Sequence, residues 1–219
     1  MKESTLRIIL VPSLITLAVT LLRLTGELQG WSRVWFNPSP GGGFAPIGIV
    51  WLVFVFGAWF AVKLARAGDT PPSAGRTIGL AFLAFVLFIS LAVGAGFVLK
   101  LPFYGRMLAG VVVSIVTALI PYRSWPSLFR LLLAYAIAAR IPVIVIMWLA
   151  MAGNWGTHYD GPAPDLPAGT GLAGKFFWIG VLPQLFSWPA FTITMGMFSG
   201  GIAAAITSRR SAVASPTKA

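Results

Sequence analysis

The sequence predicts an all-α fold, an integral membrane bundle of six transmembrane helices with both termini cytoplasmic. Three observations carry that expectation. Of 219 residues, 58% are hydrophobic and only 10% charged, and the mean hydropathy is +0.87. Soluble domains carry about 25% charged residues, so this chain cannot cover a water-facing surface. The apolar residues gather into six runs close to the ~20 residues a spanning helix needs. Lys and Arg are distributed unevenly between the connections, which orients the chain. A β-barrel would show segments of about 10 residues with alternating polarity, whereas these runs are apolar on all sides.

The first run covers 6–25. Lys2 precedes it, as in a secretory leader, but Arg23 and Glu27 occupy the zone where a small-residue cleavage motif would lie, so the run reads as a retained helix. The next four cover 44–65, 77–99, 106–122 (short) and 128–152. The sixth, 176–206, is long and contains Pro183 and Pro189. Because proline removes an N–H and kinks a helix, we expect either a simple kink or an interfacial piece from Phe176 to Leu182, a break, and a span from Pro189 to Ile206. Residues 1–207 then form a single six-helix transmembrane domain, and 208–219 read as a disordered C-terminal tail.

With the N-terminus inside, ten basic residues fall on the inner side: Lys2, Arg7, Lys63, Arg66, Arg76, Arg123, Arg130, Arg209, Arg210 and Lys218. Five fall outside: Arg23, Arg33, Lys100, Arg106 and Lys175. The excess puts the termini in the cytoplasm and expects anionic lipid headgroups as partners at that face. The localisation expected is the cell (plasma) membrane, a bacterial inner membrane. Trp and Tyr cluster near the expected helix ends, Trp125 and Tyr159 among them, where an apolar ring with a polar handle suits the headgroup layer. The formal net charge of +11 is scattered between apolar runs rather than gathered in a stripe, so no nucleic-acid partner is expected. There are no cysteines, which excludes disulfides, thiol catalysis and Cys-ligated metals.

Chemistry-bearing residues are few. The five acids, Glu3, Glu27, Asp69, Asp160 and Asp165, fall outside the expected spans, so a carboxylate relay within the membrane is not expected. Arg140 is the one charge well inside a span. An arginine at mid-membrane costs about 2.5–3.5 kcal/mol on insertion scales, so it should face the interior and have an oxygen-bearing partner. Two long outer connections, 26–43 and 153–175, are rich in Gly and Pro. The second holds Asn154, His158 and Asp160; with one histidine and no cysteine it lacks the three or four ligands of a zinc site, and no metal or cofactor is expected. It also lacks a nucleophile motif for hydrolysis. Gly196, Ser199 and Gly200 form a small-residue helix-packing motif.

Arg140, Asn154, His158 and Asp160 are thus the candidate ligand-binding residues. Absence of Walker, dinucleotide and paired-histidine haem motifs argues against nucleotide-driven transport and haem chemistry. The expected function is a small permease or channel-like transport protein for a small or anionic solute, acting alone, as a homo-oligomer or with other membrane subunits. The alternatives are a non-catalytic subunit or assembly partner of a larger membrane complex, and a lipid-acting membrane enzyme using the outer His158 loop.

Overall fold

The computed structural model describes residues 4–40, 45–161 and 165–214, with side chains through 208. Among the described residues every regular element is helical: α1 Thr5–Leu28, α2 Leu52–Arg66, α3 Ala74–Phe97, α4 Phe103–Leu119, a 3-10 turn Tyr122–Ser124, α5 Pro126–Gly153, α6 Leu172–Lys175 and α7 Trp188–Ala214. Ser4 and Ser73 start α1 and α3 by accepting hydrogen bonds from the N–H groups of Arg7 and Arg76. Pro126 opens α5, where its missing N–H costs nothing, and Asn154 closes it in the left-handed conformation.

Five helical stretches are long and apolar enough to cross a membrane: Thr5–Leu28, Ala74–Phe97, Phe103–Ser124, Pro126–Gly153 and Leu172–Ser208. α5 and α7 form the centre. α1 lies along α5, α3 and α4 lie along α7, and α2 touches both central helices. α3 shows how the outside is built: Phe82, Leu83, Val86, Ile89, Leu91 and Val93 are all exposed along it. A continuous apolar face of that extent suits lipid rather than water.

Several expectations need correction. The second run, expected from 44, is not helical over 45–51, and residue 44 lies outside the described residues. Residues 45–51 form a strap of bends and turns around Pro46 and Gly48, and α2 begins only at Leu52. It has 15 residues, about 22 Å of helix. The expected break between Phe176 and Pro189 is absent. The chain continues from α6 through two π-helical stretches, Phe176–Val181 and Pro183–Ser187, into α7. Pro183 opens the second of these wider-turned stretches, and Pro189 lies just past its end, at the start of α7. α7 runs on to Ala214, through part of the segment expected as tail; residues 215–219 lie outside the described residues. Trp125, expected at the membrane interface, is 1% exposed and donates its indole N–H to Asp69 Oδ1 at 2.9 Å.

α2 and α7 approach closely because glycines face each other. A Cβ on Gly57 would lie 2.5 Å from the Gly196 carbonyl oxygen and also meet Ser199 Oγ; one on Gly200 would lie 3.1 Å from the Gly57 carbonyl oxygen. Small residues at a crossing let backbones touch where no hydrophobic force drives helices together. Gly196 and Gly200 therefore sit between α2 and the leucines Leu132 and Leu128 of α5, and Ser199 meets α2, all within the same chain.

Candidate functional site

One face of α1 carries Thr16, Thr20, Arg23 and Glu27, separated by four, three and four positions. That is helical spacing, and it aligns the four side chains on one stripe. Thr16, Thr20 and Arg23 are buried, and the Glu27 side chain is 0% exposed. α1 extends past the expected end at 25 and takes Glu27 with it. The expectation that no acid lies in a spanning helix is thereby corrected: Glu27 belongs to a helix able to cross.

Glu27 is the centre of an outer cluster. Its Oε1 accepts from Arg23 Nε at 2.8 Å and lies 2.6 Å from His158 Nδ1; its Oε2 accepts from the His158 backbone N–H at 2.9 Å. Arg23 also donates to the Asn37 carbonyl at 3.2 Å, and its guanidinium lies against Gly48 of the strap. One buried ion pair thus ties α1 to both outer connections and to the strap. Arg23 already compensates Glu27, so a charged His158 would be a second buried cation. Burial holds the His158 imidazole below its ordinary value, aided by repulsion from Arg23 and against the pull of Glu27. His158 is then a neutral donor through Nδ1.

The loop around His158 closes on itself. Asp160 accepts from the N–H groups of Gly156 and Thr157 at 2.9 and 2.7 Å and from the Thr157 hydroxyl at 2.7 Å. These bonds outweigh burial and keep the Asp160 carboxyl below its ordinary range. Lys175 Nζ donates to the Asp160 carbonyl at 2.7 Å, and Arg106 pairs with Asp165. Asp160 thus shapes the loop and Asn154 ends a helix. Among the described residues no three His, Asp or Glu side chains are grouped to hold a metal. His158 has the carboxylate partner of a general base, but Thr157, the hydroxyl beside it, is committed to Asp160.

The second polar site lies deeper. Arg140 is 6% exposed, near the middle of α5. Its Nη1 donates to Gln184 Oε1 at 3.2 Å, and its guanidinium carbon sits 4.5 Å from the centre of the Trp188 ring. Gln184 is buried in the second π-helical stretch. Among the described residues, Arg140 has no carboxylate partner and one hydrogen bond for five N–H donors. Arg140 also lines a narrow crevice, with room for about one water, whose walls include Thr16, Ile49, Val53, Tyr135 and Thr192. Thr16 donates to the Pro12 carbonyl at 2.8 Å, so at 2.7 Å it accepts from the Tyr135 hydroxyl. The Thr16 and Tyr135 hydroxyls are therefore satisfied within the protein, and Arg140 is the lining residue with N–H donors to spare among the described residues.

Tyr159 lies between the two sites. Its ring stacks on His158 with centroids 3.8 Å apart, and its hydroxyl donates to the Thr20 carbonyl at 3.4 Å. Burial raises its phenol above the ordinary value.

The structure thus separates the four expected ligand-binding residues. His158 joins Glu27, Arg140 joins Gln184, and Asn154 and Asp160 have backbone roles. Sequence reasoning missed the α1 stripe, Tyr135, Gln184 and Trp188; only the stripe left a readable signal, in its spacing. No family model, characterised protein or solved structure matches the chain.

Proposed function

We propose that the protein is a six-span membrane transport protein that passes a small monovalent anion through the Arg140 crevice. The observation carrying this reading is the uncompensated guanidinium. A buried cation without a carboxylate is costly unless something neutralises it, and a small anion entering the crevice does so. The crevice has room for about one water in this structure, so it must widen to pass a solute; once widened, the planar fork favours an oxyanion or carboxylate that accepts two parallel hydrogen bonds. Ile49, Val53 and the neighbouring apolar walls exclude strongly hydrated, multiply charged solutes.

In this reading α2 is the sixth crossing, helped by the strap, and both termini are cytoplasmic. The contacts that join the connections support it. Glu27 with His158 and Arg106 with Asp165 gather the expected outer connections at one end, while Asp69 with Trp125 joins two expected inner ones.

The test is nitrate uptake into liposomes containing the purified chain, read with a nitrate electrode. Wild-type protein should carry nitrate above the empty-liposome rate. Arg140→Leu should fold and fall to background, while Arg140→Lys, which keeps charge but not the fork, should retain only part of the rate. Absence of uptake by the wild type, or full uptake by Arg140→Leu, would reject the reading. Stoichiometric co-purification of different chains, with no uptake, would favour the assembly-partner role.

A further inference from the structure

We infer that the His158–Glu27 couple is a proton site whose occupancy is linked to anion binding at Arg140, so that the protein takes up one proton with each anion. This inference rests on the anion reading above and adds a second ligand to it.

The argument begins with charge. The outer cluster holds Arg23 as a cation and Glu27 as an anion, with His158 neutral, and sums to zero. Arg140 adds one positive charge that no described side chain compensates. The buried polar interior is thus at +1 before any ligand arrives. A proton placed on the couple raises it to +2, which low-dielectric surroundings oppose. An anion at Arg140 lowers it to zero, and the same proton then brings it only to +1. Each ligand reduces the electrostatic cost of the other, and thermodynamic linkage makes the effect reciprocal. The charge balance is complete: H+ enters the His158–Glu27 couple, A− enters the crevice, and the loaded protein carries the same net charge as the empty one.

Geometry gives the two sites contact. Tyr159 stacks on His158 and reaches the Thr20 carbonyl, Thr20 donates to the Thr16 carbonyl at 2.8 Å, and Thr16 lines the crevice. On the other side Arg23 rests against Gly48, and the next strap residue, Ile49, is a crevice wall. The groups facing His158 are Arg23 and Glu27 from α1 and Tyr159 and Asp160 from its own loop, with Lys175 held on the Asp160 carbonyl. Asp160 is engaged by its own loop, which leaves the His158 imidazole, hydrogen-bonded to Glu27, as the proton acceptor of the cluster.

Calorimetric titration of the full chain in nanodiscs with sodium nitrate tests this, because nitrate stays ionised from pH 8 to 5.5. The wild type should bind nitrate about 10-fold more tightly at pH 5.5 than at pH 8, within the range typical of site-to-site coupling. Repeating the titration in buffers of different ionisation enthalpy should show up to one proton taken up per nitrate at intermediate pH. His158→Gln keeps a donor for Glu27 but cannot titrate; it should bind nitrate with the wild type's pH 8 affinity at both pH values and take up no proton. Arg140→Leu should not bind at either. Nitrate binding that needs Arg140 yet shows no proton uptake and no pH dependence overturns the coupling and leaves the anion site standing. Persistence of the pH dependence in His158→Gln also overturns it. No nitrate binding by the wild type at either pH overturns the anion site and the coupling together.

Discussion

His158 Nδ1 lies 2.6 Å from a carboxylate oxygen of Glu27, although 131 positions separate them in the chain. The contact fixes the second outer connection to the end of α1, and Arg23 completes the charge balance from the same helix. Removing one member of a buried ion pair leaves the other uncompensated, which typically costs about 3–5 kcal/mol. Glu27→Ala should therefore lose stability on that scale, because Arg23 is stranded beside an imidazole. His158→Gln should cost less, since an amide N–H still reaches Glu27. Thermal unfolding in mild detergent distinguishes these; equal midpoints for Glu27→Ala and wild type would remove the cluster's structural role.

The same contact gives a pH dependence whose sign is fixed by the direction of the shift. His158 is held below its ordinary value of 6.5 in the folded protein. Above 6.5 it is neutral whether folded or unfolded, and the cluster's contribution is fully present. As pH falls below 6.5 the unfolded chain binds a proton before the folded one does, so stability declines until the folded His158 titrates. Without added anion, the unfolding midpoint should drop between pH 7.5 and 5.5. His158→Gln should flatten that decline, and a midpoint that rises with acid in the wild type would reverse the assignment.

Orientation is testable with little background because the chain has no cysteine. Single substitutions Ser39→Cys and Ala168→Cys should react with an impermeant maleimide on intact cells, and Thr70→Cys only after the membrane is opened. All three positions are exposed. Labelling of Thr70→Cys from outside would turn the topology over.

The long apolar helices were legible because lipid demands all-round hydrophobicity, and α3 and α5 fall close to their expected bounds. What failed to show in the sequence depended on partners brought together by folding. Residues 45–51 are apolar enough to read as helix, yet Pro46, Gly48 and the Arg23 guanidinium beside them favour a strap. Pro183 and Pro189 announced an interruption, and the helix met it by widening its turns. Asp160 looked like a ligand of the His158 loop, but nearby N–H groups satisfy it. Arg140 was visible as an isolated intramembrane charge, whereas nothing in the sequence marked Gln184, 44 positions away, as its partner.

The α2–α7 crossing should be sensitive to a single methyl group. Gly57→Ala places a Cβ 2.5 Å from the Gly196 carbonyl oxygen, closer than atoms can approach, so the helices must separate. Overpacking of this kind costs about 1–3 kcal/mol. Gly79 on α3 is the control: it is exposed, and nothing lies within 4 Å of its Cβ position. Gly79→Ala should be neutral or gain up to about 1 kcal/mol from helix propensity. Parallel unfolding curves of the two variants decide it, and a harmless Gly57→Ala would show that the crossing is looser than described.

The strongest stability contrast should come from Arg140 and Gln184. Gln184 Oε1 accepts from the guanidinium at 3.2 Å, and its Nε2 lies 3.6 Å from Met147 Sδ. Gln184→Leu removes the acceptor but leaves the charge buried over Trp188. A hydrogen bond to a charged group contributes about 1.5–3 kcal/mol, and the desolvated cation gains no replacement, so this variant should lose at least that much. Arg140→Leu removes the charge together with its burial cost and leaves only a neutral amide short of one donor. It should lose less, despite deleting the larger polar group. The double variant Arg140→Leu/Gln184→Leu should be more stable than Gln184→Leu alone, so the two substitutions must be non-additive. Measured in one detergent at one pH, that ordering follows from the absence of a carboxylate partner for Arg140 among the described residues. An additive result, or Arg140→Leu as the most damaging of the three, would mean that the guanidinium is held by contacts stronger than Gln184 and Trp188 supply, and the premise of an uncompensated charge facing the crevice would fail with it.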